Sequence, residues 1–379
     1  MISRPNAPWL GHFARQLIAD VLIHVAIATC AGTVLFLVVD FVEVGNRARD
    51  TATAKDFALL SLYSVPTILK LIMPVSAPIG ALTAISAQMR KLEIAAFFAS
   101  GAPPAAVLKP LMISGVLLAA GYASVIEFMI PPSSAKTNVI RQRMGLPYAN
   151  SMWGRNGWYK GTNQLYRVRT LAKSDASELK SVLMLRIENG KITERRDIGL
   201  MSYLENQWIG QHVVHRKLVH QVANNTSKNA SMTTARMRKQ NLGIPEKPND
   251  FNTGLAIPKR LDYLSLREAT QIRERLGRPA LAHRLELHHR HTGPISVLLA
   301  ILIAAALGLR SGRRQSLAAA MGMGSGLGFS LWLVHEITSL IGATGALPAW
   351  TAAHILPSLL GISTLITWAL VESRGIRES

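Results

Sequence analysis

Four histidines within nine residues, His283, His288, His289 and His291, form the densest set of metal-capable side chains in the 379-residue sequence. Their surroundings, LAHRLELHHRH, match neither HExxH nor HxxEH, and a single cysteine, Cys30, supplies no thiolate pair. The stretch reads as a basic helix lying beside lipid headgroups, and no metal is expected. Nucleophilic chemistry is equally unsupported. There is no GxSxG elbow and no Ser/His/Asp set that the spacing singles out. The glycines of MGMGSGLGFS, Gly322, Gly324, Gly326 and Gly328, are not preceded by a strand or followed by Gly-Lys-Ser/Thr, so they are not a phosphate loop. They form small-xxx-small pairs that let helices approach closely. The chain is expected not to be an enzyme and to hold no cofactor. Without a Walker A motif, any ATP-driven work belongs to another chain.

The elements carrying these residues are membrane spans. Hydrophobic residues make up 49% of the chain and charged ones 17%. The apolar residues gather in six windows, near 16–39, 57–88, 105–130, 293–309, 315–341 and 350–371, each close to the roughly 20 residues a bilayer-crossing helix needs. Two groups of three spans flank a polar insert. From 132 to 290 the sequence holds 28 Lys and Arg against 12 Asp and Glu, so +16 of the formal +20 lies there. Arg15, Arg90, Lys91, Arg310, Arg313 and Arg314 fall on the side of both termini. The opposite short loops balance Arg47, Arg49 and Lys55 with Glu43, Asp50 and Asp56. The positive-inside rule then puts both termini in the cytoplasm and the insert outside it, which removes nucleic acid as a partner for the insert's positive field.

Within the second span, Pro66, Pro74 and Pro78 predict a bent helix, and Lys70 predicts a charge facing protein, water or the interface. SMWGRNGWYKG, QLYRVRTL, KSVLMLRIENG, KITERRDIG, SYLENQWIGQH and VVHRKLVH read as short strands of an antiparallel sandwich, jelly roll or open barrel. Residues 224–254 read as loop, and SLREATQIRERLGRPALAHRLELHHRH reads as helix leading to a fourth span at 293. The predicted fold is therefore a bundle of six transmembrane helices, 3+3, with an inserted antiparallel β domain. Its parts are residues 1–131, a β domain over 132–262, a connecting helix over 263–292, and 293–379.

Between the second and third spans lies RKLEIAAFFASGAPP. It predicts a cytoplasmic amphipathic helix of about three turns from Arg90 to Ser100, stopped at Gly101 before Pro103 and Pro104. With Glu93 displayed beside Arg90 and Lys91, it suits docking into a groove on a cytoplasmic protein.

These parts, in this order, resemble the lipopolysaccharide export permeases, the LptF/LptG family. VPTILKLIMP followed by GALTAISAQMRKLEIAAFFASG is similar to that family's second span and coupling helix. MWGRNGWYKGTNQLYRVRTL is similar to the opening of its periplasmic jelly roll, and LSLREATQIRERLGRPALAHRLELHHRHTGPISVLLA to its junction into the fourth span. VVDFVEVGNRAR and MWGRNGWYKG look nearer the LptG type. The resemblance implies a bacterial inner-membrane permease subunit that pairs with a paralogous subunit as a heterodimer. It further implies a cytoplasmic ABC ATPase dimer that uses ATP and Mg, and a periplasmic bridge protein or single-span accessory subunit to receive lipopolysaccharide.

Residue by residue, it implies ATPase coupling through a segment at 89–101, with Arg90, Lys91, Leu92, Glu93 and Phe97, and Glu93 as the acidic docking residue. Where a basic residue facing lipid is expected at the outer end of the first span, this chain has Asp40 and Glu43. Arg47, Arg49, Lys136, Arg141 and Arg143 become the candidates for phosphate contact. Asp40, Glu43, Lys70, Glu127, His335 and Glu336 are the candidate polar groups of a lipid cavity. Two other readings remain: a membrane-anchored sensor or scaffold binding anionic envelope polymers, which needs no ATPase, and an ABC subunit that transmits force without moving lipid.

Overall fold

The computed structural model describes residues 8–48, 52–144, 146, 158–161, 164–171, 177–188, 191–220, 230–248, 251, 257–275, 279–312 and 315–377. The chain divides into two units, one from residues 1–144 and 284–379, the other from 145–283.

In the first unit six helices are long and apolar enough to cross a membrane, in the two groups of three that the sequence predicts. Helix α1 (Pro8–Gly45) leads to α2 (Ala54–Arg90), then the short α3 (Glu93–Ala99). The third span is α4 (Leu108–Ser124), a π-helical turn (Val125–Met129) and α5 (Ile130–Arg143). Helix α6 (Tyr263–Arg275) belongs to the second unit, α7 (Leu281–Ser311) begins at that unit's end, and α8 (Leu317–Thr344) and α9 (Ala349–Arg377) follow. Two boundaries differ from the sequence reading. The third span continues as helix to Arg143, past the expected end at 131, and α7 starts at Leu281 rather than near 293, with Pro294 inside it. Helical hydrogen bonding continues freely beyond the bilayer edge, so the apolar window marks the membrane and not the helix.

Helix α2 is central. It packs against α1, α5 and α8, and runs unbroken through Pro66, Pro74 and Pro78. Its first turn is closed by a reciprocal cap in which Thr53 Oγ1 accepts the Asp56 N–H and Asp56 accepts the Thr53 N–H. Leu17, Val21 and Val25, four apart and so on one face of α1, are buried in a core with Ala77, Ala81 and Ile85 of α2. The glycines of α8 divide into two sets. A Cβ on Gly324 would lie 2.6 Å from the Ile79 Cα, and one on Gly328 would lie 2.5 Å from the Val75 carbonyl oxygen. Gly322 and Gly326 face open space. Only one of the two glycine pairs therefore makes the close helix approach. The long apolar windows of α2 and α7 are 56% buried, whereas those of α1 and α8 are 22% and 17%, leaving broad apolar faces uncovered by this chain.

The second unit holds an antiparallel sheet of six described strands in sequence order: β1 (Trp158–Lys160), β2 (Gln164–Leu171), β3 (Glu178–Glu188), β4 (Lys191–Leu204), β5 (Gln207–His220) and β6 (Ala230–Asn241). SYLENQWIGQH is a hairpin rather than a strand of its own. Leu204 pairs with Gln207 across a two-residue turn in which Glu205 and Asn206 both take positive φ, 49° and 63°. The stretch expected to be loop contains β6, an edge strand. Its Arg236, Arg238 and Lys239 conceal the strand pattern and discourage uncontrolled edge pairing. Trp208, Tyr166, Phe251, Val182 and Met184 fill the core. Buried Glu246 organises it, accepting from Tyr166 Oη at 2.8 Å and, through its backbone carbonyl, from Trp208 Nε1 at 2.6 Å. Helix α6 (Tyr263–Arg275) is capped by Asp262, which accepts the Ser265 N–H at 3.1 Å. Burial pushes the Asp262 carboxyl up, but the Ser265 hydrogen bonds and nearby backbone N–H groups outweigh it, so the group stays below the usual carboxylate range.

Candidate functional site

Three constellations of the first unit carry the candidate residues. At one, α2 ends at Arg90 and Lys91, and Leu92 turns the chain through the left-handed region at φ 65°. A non-glycine residue there costs about 1–2 kcal/mol, so the break is held by its surroundings. The expected three-turn helix is thus the two-turn α3, bounded by Leu92 and by Gly101 at φ 86°. Its inner face is fastened to α1. Phe97 stacks on Phe13 with ring centroids 4.2 Å apart, and Gln16 Nε2 donates to Glu93 Oε2 at 2.9 Å. Arg90, Lys91, Leu92, Ala96, Ala99 and Ser100 are exposed, while Phe97 is buried and Glu93 half-buried. Of the five coupling residues, three face outward, Phe97 faces the core, and Glu93 divides its carboxylate between α1 and the surface.

The second constellation is a charge cluster among apolar spans. Lys70 Nζ donates to Glu286 Oε1 at 2.7 Å, and Arg290 Nε lies 3.8 Å from the same oxygen. Arg290 Nη1 also lies 3.5 Å from Glu127 Oε2 and donates to the Ile126 carbonyl at 3.3 Å. Glu127 and Ile126 belong to the π-helical turn. Such a turn disturbs the backbone ladder, and Arg290 satisfies a carbonyl there. The four side chains sum to zero charge, as groups removed from water require. Lys70 and Glu127, singled out by sequence, are thereby joined through Glu286 and Arg290, which were not. Those two sit in a run that reads as basic surface, and a pairing across 216 positions leaves no local trace.

The third lies where α1 ends and α2 begins. Arg47 pairs with Glu43 at 3.0 Å, both largely exposed. Lys136 Nζ stands 5.0 Å from the centre of the Tyr63 ring, a cation–π distance. Arg141 acts electrostatically on Asp40, and Arg143 on Asp56. Four of the five phosphate candidates are therefore near acidic or aromatic groups of the chain itself. Arg49 lies outside the described residues.

The remaining polar candidates are on α8. His335 packs its ring 4.6 Å from that of His289, whose Nε2 is 3.2 Å from Ser339 Oγ. Glu336 is half-buried, and among the described residues no hydrogen bond or ion pair reaches it. His283 is buried, and His288 and His291 stand with His354 of α9. Sequence could not bring His354 to them, because the contact is made only by the packing of α9.

A protein-family model described as lipopolysaccharide export system permease LptF/LptG matches residues 15–370. Among curated proteins none matches the chain significantly.

Proposed function

The chain belongs to the lipopolysaccharide export permease family LptF/LptG, a family of multi-pass transport subunits of the inner membrane, and from that premise we propose its part in the export step. It is the subunit that takes lipopolysaccharide from the inner membrane, paired with a paralogous subunit and driven by a separate cytoplasmic ABC ATPase dimer. ATP and Mg are used by that ATPase. Both termini lie in the cytoplasm, and the β unit faces the periplasm, where it meets a bridge protein or single-span accessory subunit.

The observation that carries this reading is α3. A helix of two turns, set off at both ends by left-handed residues and bonded to α1 by Phe97 and Glu93, can transmit a push from outside to the first span. The surface here, exposed Arg90, Lys91, Leu92, Ala96 and Ala99 beside half-buried Glu93, is small-residued and carries both signs of charge, which suits close docking in a groove that answers Glu93 with a cation. Helix α1 then presents Val34, Leu35, Val38, Val39 and Val42, all more than half exposed, and α8 presents Phe329 and Leu340. These faces fit a shared cavity with the paralogous subunit, where acyl chains meet apolar walls. The lipid A phosphates fit the rim of Arg47, Lys136, Arg141 and Arg143 by charge-assisted hydrogen bonds.

The test is purification in mild detergent. Glu93→Lys should lose the ATPase while Gln16→Ala, which removes only the internal bond, keeps it. Full ATPase recovery with Glu93→Lys would overturn the coupling role. Photocrosslinkers at Leu35 and Leu340 should capture lipopolysaccharide, and Arg141→Glu/Arg143→Glu should reduce that capture without dissolving the complex. An ATPase-bound chain that gives no lipid adduct would instead favour force transmission without lipid movement.

A further inference from the structure

We propose that His288, His291 and His354 form a Zn2+ site that fastens the start of α7 to the start of α9. Among the described residues these three offer ring nitrogens that all lie within 4.8 Å of one another. Ring centroids are 5.8 Å apart for His288 and His291, 5.8 Å for His288 and His354, and 5.4 Å for His291 and His354. His288 and His291 are three apart on one helix and so share a face. Bonds of about 2.0–2.1 Å to Zn2+ would place nitrogens about 3.3 Å apart, so the three rings close on the ion from their present separations.

A second observation points the same way. His354 Nδ1 lies 2.7 Å from the Trp350 carbonyl oxygen. A carbonyl only accepts, so Nδ1 carries the proton and the Nε2 lone pair is free to bind. A backbone carbonyl holding the far nitrogen of a ligating imidazole is the arrangement metal sites use to fix tautomer and ring direction. Three neutral imidazoles suit Zn2+, whereas Mg2+ and Ca2+ require oxygen ligands. His291 is exposed, so the site is reachable and a water completes the fourth position. All three ligands lie toward the first turns of their spans. His288 and His291 lie before Pro294 on α7, and His354 is near the beginning of α9 beside Trp350, an aromatic residue typical of a membrane interface.

The experiment uses the tag-free full chain in detergent, with the subunits that copurify, stripped by a chelator and then given Zn2+ or Co2+ alone. Expected are one Zn2+ per chain retained through gel filtration, and with Co2+ the intense visible bands of a four-coordinate nitrogen site. His291→Gln, at an exposed position that the fold does not depend on, should weaken retention roughly tenfold or more, as should His354→Gln. His289→Gln, on the same helix but turned toward His335, should leave retention unchanged. No retained Zn2+, retention unaffected by replacing all three ligands, or only the weak bands of six-coordinate Co2+ would overturn the proposal. Because the readouts are metal content and spectrum, they stand apart from whether the chain exports lipid.

Discussion

Removing Glu286 should destabilise the membrane unit far more than removing Glu286 and Lys70 together. Glu286 and Lys70 side chains are 6% and 21% exposed and 2.7 Å apart. With Arg290 and Glu127 they form a neutral set. Glu286→Met leaves two cations against Glu127, and Lys70→Met leaves one cation against two carboxylates. Breaking a buried pair from one side costs about 3–5 kcal/mol, because the survivor keeps its desolvation penalty. The double replacement Lys70→Met/Glu286→Met leaves Arg290 with Glu127, again neutral, and exchanging a buried pair for apolar side chains is often nearly neutral in energy. A double-mutant cycle should therefore give a coupling of at least about 3 kcal/mol. The assay is equilibrium unfolding of the purified chain in mixed micelles as denaturing detergent is increased, followed by fluorescence and checked for reversibility. Additive single effects, with the double variant as damaged as the sum, would refute the neutral-cluster argument. A harmless Glu286→Met would refute the burial argument before the cycle is complete.

Other substitutions probe the helix contacts and the insert. Gly328→Val should separate α8 from α2, since even a Cβ would fall 2.5 Å from the Val75 carbonyl oxygen, whereas Gly326→Val, facing open space, should leave the melting temperature in detergent unchanged. Asp262→Ala should cost about 0.5–2 kcal/mol at neutral pH through loss of the α6 cap. The Asp262 carboxyl is held low in the fold, so its contribution is complete above the ordinary value near 3.9 and fades as pH falls through the lower native value. The melting difference between wild type and Asp262→Ala should accordingly shrink in acid. A difference that grows in acid would contradict the assignment.

The spans were legible because a bilayer demands the same solution everywhere: long runs of Leu, Ile, Val and Ala with few charges. The strands QLYRVRTL and KSVLMLRIENG were legible because alternation is local. What was not legible depended on remote partners. Glu286 gives no sign that it answers Lys70, His354 none that it meets His288, and Gln16 none that it bonds Glu93. β6 was hidden because an edge strand is half-solvated and carries charge where an inner strand would be apolar. The break at Leu92 leaves no mark in the sequence, because nothing in the residue favours left-handed backbone. RKLEIAAFFAS reads as one amphipathic run, and only packing on Phe13 and Gln16 selects the split.

The π-helical turn at Val125–Met129 has a consequence for the rotational phase of everything that follows it. Each residue of an α-helix turns the chain by about 100°, and a π turn is in effect one residue inserted into such a helix. The azimuth of α5 is therefore set by that single insertion, and with it the directions that bring Lys136 over Tyr63 and Arg141 toward Asp40. Wound as regular helix, the same residues would carry both cations about a quarter-turn away from their partners, whereas deleting one residue between Val125 and Met129 would close the turn and leave Lys136 and Arg141 facing as they do now.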